Sequence, residues 1–558
     1  MKALARHFFQ GFFRLSFLDD AGEESFRRVI IGLLGGFVAF GLWLPRLFAR
    51  KYFYLSEGGR ADVYLQALLA DQLLMLCLPM FIVAFAMTLV CHSLFPDETD
   101  YRILMALPIS RAVIFSAKLM ALLAFAAIFI ISTNVAIGIP FAAVSTGRLN
   151  PHYWPLRAAA QVGAGVLGTV FAGGSVIALQ GIVSVATPRG ALRSTAVLMQ
   201  TGLICALVLL VPLLVRVPMQ GALLQAEPAW LYLVPPMWFL GLEETLLGNR
   251  DPFFARLAEL ALAGTFAIAL VAMACYGFVY RRFDRVILRT EKRGRRSLFR
   301  GLAKAASVHF FRARPEYAAV RAFTTATLRR SGLHQVVFLG VCAAGFSLAA
   351  NKLLGTTTGP YRWFVEAILM APLILMFAAV LGLRSALLLP VTPRAVWVFR
   401  ITEADDGRPQ GLAVVEHLLL LYGVFVPIAI ALPLQSGILG WHDTFLALPL
   451  TVAIGVLMTE VTLMRWNRIP FTCTYIPGKR PVVHTFLLLL FAFAFSTASG
   501  AAWLYMAVTW DTPLPFLVAA LLGLAALFRW VRIQLCKNKP LEFEDEAPDV
   551  VYGLHLNT

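Results

Sequence analysis

Charged residues are scarce in this chain: only 14% of its 558 residues are Asp, Glu, Lys or Arg, whereas 59% are hydrophobic and the mean hydropathy is +0.76. A surface with so little charge could not be hydrated, which excludes a water-soluble enzyme and a disordered scaffold. The seven cysteines occur singly, without the spacing of a disulfide framework or a thiolate metal site. The composition therefore predicts an all-α, polytopic membrane protein.

The motifs of nucleotide hydrolysis and metal catalysis are also missing. There is no GxxxxGK[ST] loop to hold phosphates and no HExxH pair, and Gly478 and Lys479 lack the preceding glycine and following Ser or Thr of a phosphate-binding loop. We therefore expect this chain to have no enzyme activity, no cofactor and no metal site of its own.

Apolar runs long enough to cross a bilayer predict twelve transmembrane helices, arranged as six plus six. Most Lys and Arg residues fall in alternate loops, so the positive-inside rule predicts that both termini lie in the cytoplasm. The predicted spans are 29–44, 72–94, 119–144, 158–186, 195–215, 259–279, 336–354, 363–383, 414–434, 445–464, 485–508 and 516–531.

The net charge of +17 is concentrated in the segment 281–330. No aromatic platform or nucleic-acid motif accompanies these basic residues, so we expect them to face anionic lipid and not nucleic acid. This segment divides the chain into a first transmembrane half (1–280), a cytoplasmic linker (281–332), a second transmembrane half (333–534) and an acidic tail (535–558). Amphipathic helices are predicted before each half, one in the N-terminal arm and one after Pro315.

Polar residues within the apolar runs suggest structural roles. Asp71, Glu366, Glu416 and Glu460 fall near predicted span ends, where interfacial anchoring or helix capping accounts for them; an ion-coupled carrier would place carboxylates deeper. Asn134 is the most interior polar residue, and we expect it to form an interhelical hydrogen bond.

Small residues recur every fourth position in the fourth predicted span, which favours close packing and a central place for this helix. They are Ala160, Ala164, Gly168 and Ala172.

A short motif is repeated at equivalent positions of the two halves. LPISRAV follows the second predicted helix and LPVTPRAV follows the eighth, both on the predicted cytoplasmic side. In each copy Leu-Pro precedes a possible cap and an arginine that begins a short helix with an apolar face. The structural alternative is a turn that re-enters the membrane and whose arginine reaches lipid phosphate. The presence of two copies of the motif favours a docking segment. The candidate docking residues are Leu107, Pro108, Ser110, Arg111, Val113 and Lys118 in the first copy, and Leu389, Pro390, Thr392, Arg394, Val396 and Arg400 in the second.

With these features the sequence resembles the permease subunits of ABC-2 type exporters, in the segment FPDETDYRILMALPISRAVIFSAKLMA, in the leading amphipathic helices and in the proline-broken connection 216–256. The resemblance implies that the two motifs are coupling helices, that a separate ABC ATPase, acting as a dimer, binds ATP and Mg, and that the chain lies in a bacterial-type cytoplasmic membrane. It also implies that one duplicated chain supplies both transmembrane halves. Two alternatives stay open: an ATP-independent twelve-helix secondary carrier, and a structural or assembly protein of a membrane complex.

Overall fold

The computed structural model of the chain describes residues 2–13, 36, 39, 43, 48–57, 61–90, 110–146, 153–187, 192–281, 315–356, 361–389, 408–464, 466, 468–471 and 514–537. Helix is the only regular secondary structure in these ranges, as the composition predicts. They include ten helices that are long and apolar enough to cross a bilayer, so the chain is a helical multi-pass membrane protein. The predicted spans 29–44 and 485–508 lie almost wholly outside the described residues, so a total of twelve and the sidedness stay predictions.

The chain separates into two compact units, Met1–Arg293 and Gly294–Thr558, and the division falls within the predicted linker. The helices of the first unit are α1 (Lys2–Phe13), α2 (48–57), α3 (Ala61–Val90), α4 (Arg111–Val144), α5 (Trp154–Ala186), α6 (Leu192–Arg216), α7 (Gly221–Gln225), α8 (Pro235–Leu246) and α9 (Pro252–Arg281). Those of the second unit are α10 (Pro315–Arg330), α11 (Gly332–Thr356), α12 (Tyr361–Leu388), α13 (Arg408–Leu418), α14 (Val426–Leu439), α15 (Trp441–Leu463) and α16 (Leu514–Lys537).

Helix α5 occupies the centre of the first unit, because it packs against α3, α4, α6, α8 and α9. Small residues make this possible: an added Cβ at Gly168 would come within 3.1 Å of the Met80 sulfur and 3.2 Å of the Phe239 ring. Without a side-chain ridge on this face, two neighbouring helices approach α5 closely.

The connection between α6 and α9, residues 217–251, is built from short helices and not from an open loop. It contains two 3₁₀ turns (Val217–Met219 and Ala229–Leu233) with α7 and α8, and α8 folds back along α9. Its close approach to α9 depends on Gly241, since a Cβ there would lie 2.3 Å from the Leu257 Cβ. The connection also packs on α3 and α5, so it belongs to the core of the unit.

In the second unit α12 packs against α11, α14 and α15, and a π-helical turn joins α13 to α14 over Leu419–Phe425. Pro427 has no N–H to donate to the carbonyl of Gly423, and the Val426 N–H bonds instead to the Leu421 carbonyl five residues earlier. The predicted span 414–434 is therefore continuous helix, in which a π-helical turn lies between two α-helical segments.

The predicted leading helices are present in both units. Helix α1 packs on the first turns of α4, and α10 packs on α13, which occupies the corresponding place after the second motif. Each unit therefore pairs its leading helix with the helix that follows the repeated motif.

Candidate functional site

The first docking motif leads directly into α4. Ser110 is the N-cap residue, and its backbone carbonyl accepts hydrogen bonds from the N–H groups of Val113 (3.0 Å) and Ile114 (3.3 Å), while its hydroxyl makes no capping bond. Because α4 runs unbroken from Arg111 to Val144, the expectation of a separate short helix is wrong over 111–118. Leu107, Pro108 and the side chain of Arg111 lie outside the described part of the chain.

Helix α1 covers the next turns of α4. Phe8 is buried with Ile114 and Ala117, and the Lys118 ammonium lies 5.3 Å from the centre of the Phe8 ring. Only 4% of Lys118 is exposed, so its side chain faces α1 and not an open docking surface. Ser110 is exposed and Val113 is half-buried.

The second motif begins where α12 ends, and two buried residues hold this point. The Nε2 atom of His334 lies 3.0 Å from the Leu389 carbonyl oxygen, and the Phe471 N–H donates to the Leu387 carbonyl at 3.1 Å. The His334 and Phe471 rings meet edge to face. The carbonyl groups of Leu387 and Leu389 are thus satisfied, which fixes the start of the motif. The other candidates, Pro390, Thr392, Arg394, Val396 and Arg400, lie outside the described residues.

The small residues of α5 are packing residues in the structure. Ala160, Ala164 and Gly168 are buried, and Ala172 is half-buried against α3 and α8. Asn134 forms the expected interhelical bond, since its amide donates to the Thr169 hydroxyl at 3.1 Å.

Three of the four carboxylates predicted near span ends are buried within the protein, and Glu366 is half-buried, with 39% of its side chain exposed. Asp71 lies inside α3, which begins eleven residues before the predicted span, and its Oδ2 accepts hydrogen bonds from the Lys51 ammonium (2.6 Å) and the Tyr52 hydroxyl (2.7 Å). Burial, and then the charge of Asp71, raise the pKa of Tyr52, so the phenol keeps its proton and remains a donor. Helix α2 is therefore tied to α3 by a buried charge.

Glu243 of α8 lies next to this contact and is completely buried. The Gln72 amide donates to its Oε1 at 2.9 Å, and the Gln161 amide nitrogen, turned toward it, donates to both carboxyl oxygens at 2.8 and 3.1 Å. Burial raises the pKa of Glu243 to about 8, against the opposing charge of Arg157. Residues from α3, α5 and α8 thus meet in one polar cluster: Asp71, Gln72, Arg157, Gln161 and Glu243.

Arg157 is the unusual member of this polar cluster. Only 1% of the residue is exposed, and its Nε and Nη2 donors have no hydrogen-bond partner in the part of the chain that the structure describes. These two atoms form the edge of the guanidinium group that binds both oxygens of a carboxylate or phosphate. Unsatisfied donors at this depth cost free energy.

The second unit contains a buried ionic cluster on α13, α15 and α16. Arg532 bridges Glu416 (2.6 Å) and Glu460 (3.1 Å), while Arg529, half exposed, contacts Glu416 at 3.1 Å. Pairing with arginine allows these two carboxylates to be buried, whereas their place near the membrane interface stays a prediction. His417 points elsewhere and meets the Tyr317 hydroxyl at 2.9 Å, so it does not form a site with Glu416.

Arg157 and Glu243 were missed as site residues, although the sequence contains a signal for each. Arg157 and Gln161 extend the small-residue face of α5 by one turn, at the same spacing as Ala164 and Gly168. Glu243 follows Phe239 by four residues on the buried face of α8. A charged residue in register with a packing face predicts a buried polar contact.

Comparison with protein-family models, curated proteins and solved structures returns no match for this chain.

Proposed function

We propose that the chain is the permease of an ATP-driven ABC-2 type exporter and that a separate dimeric ATPase docks on the two repeated motifs. The observation that carries the proposal is the repetition of Leu-Pro-x-Ser/Thr-(Pro)-Arg-Ala-Val after the second and eighth predicted helices. Apolar residues of the motifs would fill grooves on the ATPase, and Arg111 and Arg394 would orient it through charge-assisted hydrogen bonds.

The packing of the leading helices supports this proposal. In the first unit α1 lies on the turns that follow Ser110, and in the second unit α10 lies on α13. A force applied at either motif would act on a leading helix and a long membrane helix together. The contact between His334 and the Leu389 carbonyl also supports the proposal. It fixes the start of the second motif to α11, so a force on the motif would reach the membrane helices.

The test is a paired charge removal. We expect Arg111→Ala with Arg394→Ala to abolish substrate-stimulated ATP turnover of the purified complex, because each charge-assisted hydrogen bond contributes about 1.5–3 kcal/mol. The matched control, Arg256→Ala with Lys352→Ala, removes two exposed cations outside the motifs. Membrane insertion should be equal in both. Undiminished stimulation in the motif variant, or failure of any ATPase to purify with the chain, would contradict the proposal.

The buried carboxylates favour a second candidate, an ion-coupled secondary carrier. Asp71 and Glu243 lie within a helical core, where charge is expensive and serves coupling in carriers. Purified chain in proteoliposomes, without ATP or ATPase, distinguishes the two functions. Transport driven by an imposed pH gradient would establish the carrier, whereas transport that requires ATP and a second protein would establish the exporter.

A further inference from the structure

Glu243 is held in a way that links its protonation to its neighbours. Its carboxyl group has no exposed surface, and the described donors to it are the amides of Gln72 and Gln161. Amides carry no charge, so they can satisfy the hydrogen-bonding capacity of a carboxylate without neutralising it. The α6–α9 connection is thus attached to α3 and α5 through a group whose charge is not balanced by direct contact.

The Gln161 amide distinguishes the two protonation states of Glu243. When Glu243 is ionised, the amide nitrogen must face it, and it then donates to both oxygens at 2.8 and 3.1 Å. When Glu243 carries a proton, its O–H can donate to the amide oxygen, and the amide turns by half a rotation. The ionised carboxylate can pair only with the amide nitrogen, whereas the protonated form can also donate to the amide oxygen, so the proton changes which amide orientation is favoured.

Among the described residues, no cation contacts Glu243 directly. On α5, Arg157 is electrostatically coupled to Glu243, but its Nε and Nη2 donate no hydrogen bond. On α3, Asp71 is directed to Lys51 and Tyr52.

The remaining neighbours are acidic or apolar. Glu244, next in sequence, accepts hydrogen bonds from Gln72 (3.2 Å) and Asn249 (3.2 Å), and its charge adds to the effect of burial. Helix α9 packs on α8 with Phe254 and Leu257. Desolvation therefore dominates, and it raises the pKa of Glu243 to about 8.

We propose that Glu243, with Gln161 and Gln72, is a proton-binding site that makes the attachment of the α6–α9 connection to α3 and α5 depend on pH. Uptake is a simple association: the carboxylate gains one proton, two bonds from the Gln161 nitrogen are lost, and one bond from the new O–H to the Gln161 oxygen is formed. The site stands independently of both candidate functions, because neither ATP nor transport enters the argument.

Infrared titration of the purified full-length chain in lipid nanodiscs tests the site directly. Within the protein only a protonated carboxyl group has a C=O stretch above the amide I band, and the ester bands of the lipid, which do not titrate, cancel in pH-difference spectra. Spectra are recorded from about pH 5 to about pH 10. We expect the wild-type chain to lose one such band with a midpoint near pH 8. Glu243→Gln should lack that transition, and Glu259→Gln, the same change at an exposed position of α9, should retain it.

Gln161→Leu provides a second test that keeps the carboxyl group in place. It removes two hydrogen bonds from the ionised form and one from the protonated form, so the ionised form loses more and the midpoint should move to higher pH, whereas a purely structural contact would leave it unchanged. Identical titrations of wild type and Glu243→Gln would overturn the proposal. If Glu243→Gln does not fold, an unmoved midpoint in Gln161→Leu would overturn it equally.

Discussion

A carboxylate buried among helices needs donors, and the two units of this protein supply them differently. In the second unit Glu416 and Glu460 share Arg532, so opposite charges are in contact. In the first unit Glu243 meets two neutral amides, and the Nε and Nη2 atoms of the nearby Arg157 donate no hydrogen bond to any described residue. The second cluster is therefore a structural tie, whereas the first retains a group that can exchange a proton.

Loss of Arg532 should be one of the most damaging single changes in the second unit. Arg532→Met would leave Glu416 and Glu460 buried without their shared cation, which costs about 3–5 kcal/mol. Arg529→Met removes a neighbouring cation whose side chain is 54% exposed, and such a pair contributes about 0–1 kcal/mol. Thermal unfolding in detergent should show a much lower melting temperature for the first variant only. Equal effects of the two changes would show that Arg532 is not a buried tie.

Gly165 is required by the Asn134 side chain. A Cβ at Gly165 would lie 2.1 Å from the Asn134 Oδ1, so Gly165→Ala must displace Asn134 from Thr169, at a cost of about 1–3 kcal/mol. Gly163→Ala on the same helix meets nothing within 4 Å and should be neutral or stabilising by up to about 1 kcal/mol. Unfolding measurements on both check this, and Asn134→Ala in the Gly165→Ala background should recover part of the loss.

Apolar runs predict the membrane helices well but not their polar ends. Helix α3 begins at Ala61, whereas the sequence predicted a start at residue 72. The prediction ended at Asp71 because a charged residue whose partners are unknown indicates the end of a membrane span. The partners Lys51 and Tyr52 belong to another helix, and only the tertiary fold brings them to Asp71. The Asn134 contact was predictable because a polar side chain in the middle of an apolar helix has few alternatives.

The short helix α8 should loosen as pH rises. The pKa of Glu243 is about 8 in the fold and 4.5 in its absence, so the folded chain holds the proton more tightly. The stabilisation of the fold by proton binding at Glu243 is therefore complete below about pH 4.5 and is lost as pH rises through about 8. We expect the melting temperature of the wild-type chain to fall across this range and then level off. In Glu243→Gln this component should be absent; a wild-type melting temperature that rises over the same range would contradict the assignment.

At the scale of the molecule, the repeated motif predicted two similar halves, and each compact unit has its own core. In the first unit α5 is the central helix, and in the second α12 packs against three neighbours. The sequence could reveal this repetition because it is local and occurs twice. The polar clusters differ between the two units, since Glu243 is held by amides and Glu416 by arginine. Similarity between the two halves of the sequence therefore could not predict them.

If each unit is a cooperative structure, damage to one should leave the other folded. We expect Gly165→Ala to lower an unfolding transition of the first unit, and Arg532→Met one of the second, because the affected contacts lie within a single unit. A protease site placed in the segment 282–314 separates the units for measurement. Protease resistance of each fragment, followed against temperature, should then fall only in the fragment that carries the substitution. A transition lowered equally in both fragments by either change would mean that the units unfold as one.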